Sequence, residues 1–151
     1  MRHGPAEQSA ASGLDADRDL TEAGRERVRQ VARALLASGE VPEEIITSAL
    51  VRARETANIV RTLTMSKMPL VVAAALSMTN RVREFVDELI ARELDRRMLI
   101  GHEPELSGIV RDLTGTSVRM EAAMVVGISL GDKRARVRFL LDPKTLALRQ
   151  S

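Results

Sequence analysis

Between residues 21 and 113 the apolar residues alternate between helical spacing and short runs of the kind that strands buried on both faces carry, which constrains the fold more than any other feature of the chain. From Thr21 to Ser38, Val28, Val31, Ala32, Leu35 and Leu36 share one helical face, with Thr21 as N-cap and Gly39 as a stop. Glu44 to Ser48, centred on Ile45 and Ile46, reads as a buried strand, and a helix then begins near Arg52 with Ala53, Ala57, Val60 and Leu63 inward. Leu70 to Ala74 reads as a strand, and roughly Thr79 to Leu94 as a helix carrying Val82, Phe85, Val86, Leu89 and Ile90. Met98 to Ile100 is again a strand, and Glu105 to Leu113 a helix with Leu106, Ile109, Val110 and Leu113. Met124 to Leu130 and Arg136 to Leu141, separated by Gly131-Asp132-Lys133, read as a β-hairpin closing one side of the sheet.

This order predicts a three-layer α/β/α architecture with a mainly parallel central sheet, a single domain over residues 1–151, and ligands gathered beyond the carboxyl ends of the strands. The small, polar stretch Ala6 to Asp19 reads as a mobile flap.

Composition removes several function classes. Twenty arginines and three lysines face 21 acidic residues, a net charge of +2, and two Phe stand without Trp or Tyr, so neither the basic field nor the stacking platforms of a nucleic-acid binder are present. The longest apolar stretches, such as Leu70 to Leu76, are too short to cross a bilayer, and no signal segment opens the chain; a cytoplasmic protein without membrane partners is expected, with a monomer favoured. There is no cysteine and no His-x-x-x-His spacing, so no metal site and no cofactor are expected.

Only two histidines occur, His3 in Arg2-His3-Gly4 and His102 in Gly101-His102-Glu103-Pro104. With Ser48 to Arg52, which follows the Ile45-Ile46 strand, they make three candidate groups near strand ends. Each has a plain structural explanation. An Arg-His pair near a terminus is commonly a surface pair, Arg52 could be an ion-pair partner on a helix surface, and Arg54 beside Glu55 and Asn58 reads as one.

Taken together, the groups resemble the histidine phosphatase superfamily, and within it the short SixA-type phosphohistidine phosphatases. Arg2-His3-Gly4 matches the superfamily's triplet, Leu20-Thr21-Glu22-Ala23-Gly24 its Leu-Thr-x-x-Gly helix start, Ser48 to Ala57 its Ser-Pro-x-x-Arg-Ala-x-x-Thr-Ala segment, and Gly101 to Pro104 its Gly-His-x-Pro segment. The four motifs keep the family's order over nearly the whole chain; Ala49 replaces the usual Pro.

The resemblance implies a phosphoglycerate mutase-like fold, His3 as nucleophile, and Arg2, Arg52 and His102, with Gly4, as the phosphate cradle. Between Leu76 and Phe85, where longer members carry a carboxylate proton donor, this chain has Ser77, Thr79, Asn80 and Arg81. An alkyl phosphate gains on the order of 10²–10⁴ in rate from such a donor, whereas phosphohistidine, whose leaving group is an imidazole, needs far less. A phosphohistidine-bearing protein is therefore the expected partner, ahead of small phosphomonoesters or a non-catalytic role in phosphate binding. In the family a full strand precedes the triplet, and here only Met1 does. The first strand therefore reads as truncated, either because the start lies upstream or because the anchor is missing, which leaves Arg2 and His3 to be ordered by side-chain contacts alone.

Overall fold

Two isoleucines in succession show how the layers are built. In the computed structural model, which describes residues 1–64, 67, 70–78, 80–92, 96–131 and 134–150, β1 (Glu44–Thr47) lies between β2 (Leu70–Val72) and β3 (Arg97–Ile100), both parallel to it. Side chains alternate across a strand, so Ile45 and Ile46 enter opposite cores. Ile45 packs with Val28, Val31 and Leu35 of α1 (Glu22–Ala37) and Ala53, Ala57 and Val60 of α2 (Val51–Leu63). Ile46 packs with Val82, Val86 and Leu89 of α3 (Val82–Ile90) and Ile109 of α4 (Glu105–Thr114). The predicted three-layer α/β arrangement is therefore present.

Helix α1 begins as its sequence indicates, with Thr21 Oγ1 accepting from the Gly24 amide at 2.9 Å, and Gly39 at φ +72° follows its end. Leu36, expected on its inner face, is 43% exposed. The predicted third helix is shorter than Thr79 to Leu94; its described part is Val82–Ile90, and Thr79 and Leu94 lie outside the described residues. The second strand stops at Val72, because Ala74–Ser77 winds into a 3₁₀ turn.

A second sheet is antiparallel, β4 (Val125–Ser129) with β5 (Arg136–Leu141) and β5 with β6 (Leu148–Gln150). The first pair is the predicted hairpin; Asp132 and Lys133 of its expected turn lie outside the described residues. The sequence reading had no strand at β6.

Residues 1–3 join the sheets. Against β3 and Gly101, the Met1 amino group donates to Leu99 O (2.8 Å), Gly101 N to Met1 O (3.2 Å) and His3 N to Gly101 O (3.1 Å). Toward β4, Arg2 N donates to Met124 O (3.1 Å) and Ala123 N to His3 O (3.0 Å). This corrects the expectation that side-chain contacts alone order Arg2 and His3, since their backbone is held on both sides.

The stretch read as a mobile flap is a closed loop. Its base is tied by the Ala6–Leu20 bridge, by Glu7 N to Asp19 O (2.9 Å) and by Thr21 N to Pro5 O (3.1 Å), and its far end carries the short 3₁₀ turn Asp15–Asp17.

The glycine of the Leu-Thr-x-x-Gly segment has a steric reason. A Cβ on Gly24 would lie 2.0 Å from Pro5 O, so only glycine lets α1 come this close to the chain leaving the triplet. Gly24→Ala is expected to cost about 1–3 kcal/mol, as overpacked sites do. Gly108→Ala, within α4 and with nothing within 4 Å of the added carbon, should match or exceed the parent's stability. Urea unfolding of both variants checks the contrast.

Candidate active site

His3 emerges where the joining segment ends. Its Nδ1 lies 2.7 Å from Gly4 O, and a carbonyl can only accept, so Nδ1 carries the proton and Nε2 keeps its lone pair. The Gly4 amide donates to Thr56 Oγ1 (3.0 Å), whose hydroxyl donates to Arg52 O (2.7 Å) one turn earlier on α2. That clasp explains the threonine of the Arg-Ala-x-x-Thr-Ala segment, since it ties the triplet to the helix that carries Arg52.

Arg52 sits in the first turn of α2, just beyond the carboxyl end of β1, and is 6% exposed. Its Nη1 donates to Asp15 O (2.7 Å) and its Nη2 to Asp15 Oδ2 (2.9 Å). Arg2 is held by Nη1 to Met120 O (2.9 Å). The Nε atoms of Arg2 and Arg52 are both buried without a hydrogen-bond partner among the described residues.

His102 follows β3 and Gly101. Its Nε2 lies 2.7 Å from Ser48 Oγ, which lies 2.9 Å from Ser77 Oγ; its Nδ1 is buried and unpartnered among the described residues. The rings of His3 and His102 are 5.1 Å apart between centroids. Arg2, His3, Gly4, Arg18, Arg52 and His102 all line one cavity of about 310 Å³. Arg2, His3, Gly4, Arg52 and His102, the residues expected to form the cradle, thus line the same cavity.

Electrostatics keeps both rings neutral. Burial, the largest cause, pushes the His3 pKa from 6.5 down to about 4, against its bond to Gly4 O and with help from His102, Arg52 and Arg2. Burial and then Arg52 push His102 from 6.5 to about 4 as well.

Several neighbours escaped the sequence reading. Asp15 and Arg18 lie in the closed loop, where no periodicity marks a side chain's direction. Thr56 stood inside a motif whose spacing could have indicated it, whereas Ser48, already placed in a candidate group, is the partner of His102 Nε2. One reading is corrected: Glu55 does not form the surface pair expected with Arg54 but accepts from Arg25 Nη2 (2.8 Å) and Leu20 N (2.6 Å), while Arg54 is exposed. Among the described residues, no three His, Cys, Asp or Glu side chains are grouped to hold a metal ion.

The layered sheet and its added hairpin are those of the phosphoglycerate mutase-like fold. The model of the histidine phosphatase superfamily (branch 1) matches residues 1–77, and an uncharacterized protein of Picosynechococcus is 31% identical over 158 residues, covering 97% of this chain and 96% of that protein. The chain belongs to the histidine phosphatase superfamily, and its activity is in the class of phosphatases.

Among solved structures, the protein histidine phosphatase SixA complexed with tungstate is similar at TM-score 0.84 and 22% identity, over 97% of each chain. The Agrobacterium tumefaciens structure assigned as SixA follows at TM-score 0.80 and 24%, over 95% of each. The α-ribazole phosphatase of Shigella flexneri gives TM-score 0.76 and 18%, also over 95% of each. At these identities the likeness is one of fold.

Because each ring's pKa is about 4 in the folded protein and 6.5 once unfolding returns it to water, the unfolded chain takes up protons first as pH falls. Stability due to the neutral rings is fully present above pH 6.5 and is lost on acidification through about pH 4. Imidazole resonances should titrate near pH 4, and midpoints near 6.5 for the folded protein would contradict the burial described.

Proposed function

We propose that the chain hydrolyses phosphohistidine on a protein, by a metal-free route through a phosphohistidine intermediate at His3. The reading is carried by one observation: a neutral His3 with a free Nε2 shares its cavity with two guanidinium groups whose buried Nε atoms lack partners among the described residues.

In the first step the Nε2 lone pair forms a bond to phosphorus while the bond from phosphorus to the leaving nitrogen breaks; that nitrogen keeps the electron pair, and the ring, protonated on its remote nitrogen, leaves as neutral imidazole. Arg2 and Arg52 hold the non-bridging oxygens, with the Gly4 loop beneath them, and His102 completes the cradle through Nδ1. In the second step water oxygen bonds to phosphorus in line as the Nε2–phosphorus bond breaks, the electron pair returns to His3 Nε2, and the protons of water leave with the inorganic phosphate or to solvent.

The carboxylates at the cavity favour a leaving group that needs little protonation. Glu103 is engaged by Ser107, whose amide donates to Oε1 at 3.1 Å and whose hydroxyl meets Oε2. Asp15 is held below its ordinary pKa, chiefly by its hydrogen bond from Arg52, and so stands as a carboxylate. An imidazole leaves readily from such a site and an alkoxide does not. The similarity to α-ribazole phosphatase supports a second reading, a broad small-molecule phosphomonoesterase. Hydrolysis of a phosphohistidine peptide should exceed that of an alkyl phosphate by about 100-fold or more in kcat/KM; equal rates would favour the second reading.

His3→Ala is expected to abolish both turnover and the trapping of labelled phosphate in an acid-labile, alkali-stable form. Turnover without trapping, for which a phosphate-binding module has no means, would also overturn the intermediate.

Arg52→Lys should lose about 1–3 kcal/mol of transition-state stabilisation, because a point charge replaces a planar fork. Arg54→Ala, on the exposed side of the same helix, should stay within about 0.5 kcal/mol of the parent. Equal losses in kcat/KM at the two positions would show that Arg52 does not hold the phosphoryl group.

A further inference from the structure

We propose that Asp15 is an internal rival for the phosphate seat. Its carboxylate holds Arg52 between turnovers, yields to the incoming phosphoryl group, and on its return drives inorganic phosphate out. The proposal rests on the reading that Arg52 binds the phosphoryl group, and it adds to the reaction cycle a residue that never touches the reacting atoms.

Both terminal nitrogens of Arg52 point to one residue, Nη1 at 2.7 Å from Asp15 O and Nη2 at 2.9 Å from Asp15 Oδ2. A phosphoryl group that takes the Nη1–Nη2 end of the fork needs those same atoms, so Asp15 and phosphate exclude each other at that end, while Nε, unpartnered among the described residues, stays open to a further oxygen. The two contestants differ in strength. The Arg52 side chain is 7% exposed, but that of Asp15 is 68% exposed and its other oxygen pairs with Arg18 Nε at 2.8 Å, so water can replace Arg52 at little cost. A phosphate dianion brings more charge and more acceptor oxygens, and it meets Arg2, His3 and His102 along with Arg52.

The loop is built so that its end can leave without disturbing the core. Its base is tied through Ala6, Leu20, Pro5 and Thr21, while the 3₁₀ turn Asp15–Asp17 buries no residue and is preceded by Gly13 at φ +75°, a conformation glycine adopts freely. Asp15 therefore returns to Arg52 from a fixed hinge each time the seat is contested.

Calorimetric titration of the whole chain with inorganic phosphate tests the idea directly, comparing the parent with Asp15→Asn and Asp17→Asn. Asp17 lies on the same turn but accepts from Ser12 Oγ at 2.7 Å. Asp15→Asn is expected to bind phosphate about two- to fivefold more tightly, with KM lowered and product inhibition strengthened to match, and Asp17→Asn to bind like the parent. Unchanged or weaker binding by Asp15→Asn would overturn the proposal and leave the pair as a loop tie. An equal gain in Asp17→Asn would overturn it too, by reducing the effect to net charge. The titration involves no turnover, so a chain that binds phosphate as described but does not cleave phosphohistidine refutes the substrate reading alone.

Discussion

The backbone hydrogen bonds of residues 1–3 are the constraint on which the site depends. They join a parallel sheet to an antiparallel one, with Gly101 and Leu99 on one side and Ala123 and Met124 on the other. Because His3 stands at the end of that segment and His102 directly after β3, one set of amide contacts places both rings 5.1 Å apart. A nucleophile misplaced by about 1 Å can lose on the order of 100-fold in rate, so the joining segment is as much part of the chemistry as the ring it carries.

Charge in this protein is arranged locally. A net charge of +2 on 151 residues gives a weak overall field. Within the cavity, Arg2, Arg18 and Arg52 surround two imidazoles that burial keeps neutral, so a dianion meets guanidinium charge and His3 still has a lone pair to offer. A protonated His3 would bind phosphate better and could not attack it. Burial separates those two tasks, giving attraction to the arginines and attack to the histidine.

The sequence revealed most where a period or a motif recurs. Helix α1 could be read from its cap and its stripe, and β1 and β3 from apolar runs short enough to be strands. Arg2, His3, Gly4, Arg52 and His102 could be read because their spacing matches a known order. What stayed hidden depends on direction in space. Glu55 turns to Arg25 rather than to Arg54 because α1 packs on α2, which no local pattern in α2 announces. Strand β6, Leu148-Arg149-Gln150, is a short edge strand with two exposed polar residues and so has no apolar run to betray it. The tie of Asp15 to Arg52 spans 37 residues and ends in a loop without periodicity.

The Thr56 hydroxyl lies between the chain that bears the nucleophile and the helix that bears the anion-binding fork, accepting from Gly4 N and donating to Arg52 O. It therefore sets the distance between two working parts from a single atom, as a common origin does for two coordinates. The first turn of α2 is thereby pinned to the segment that the sheets already hold, so a shift of α2 against the sheets would have to break the Thr56 contact to Gly4 N. The two reacting groups are thus referred to one frame, that of the joined sheets, rather than to two.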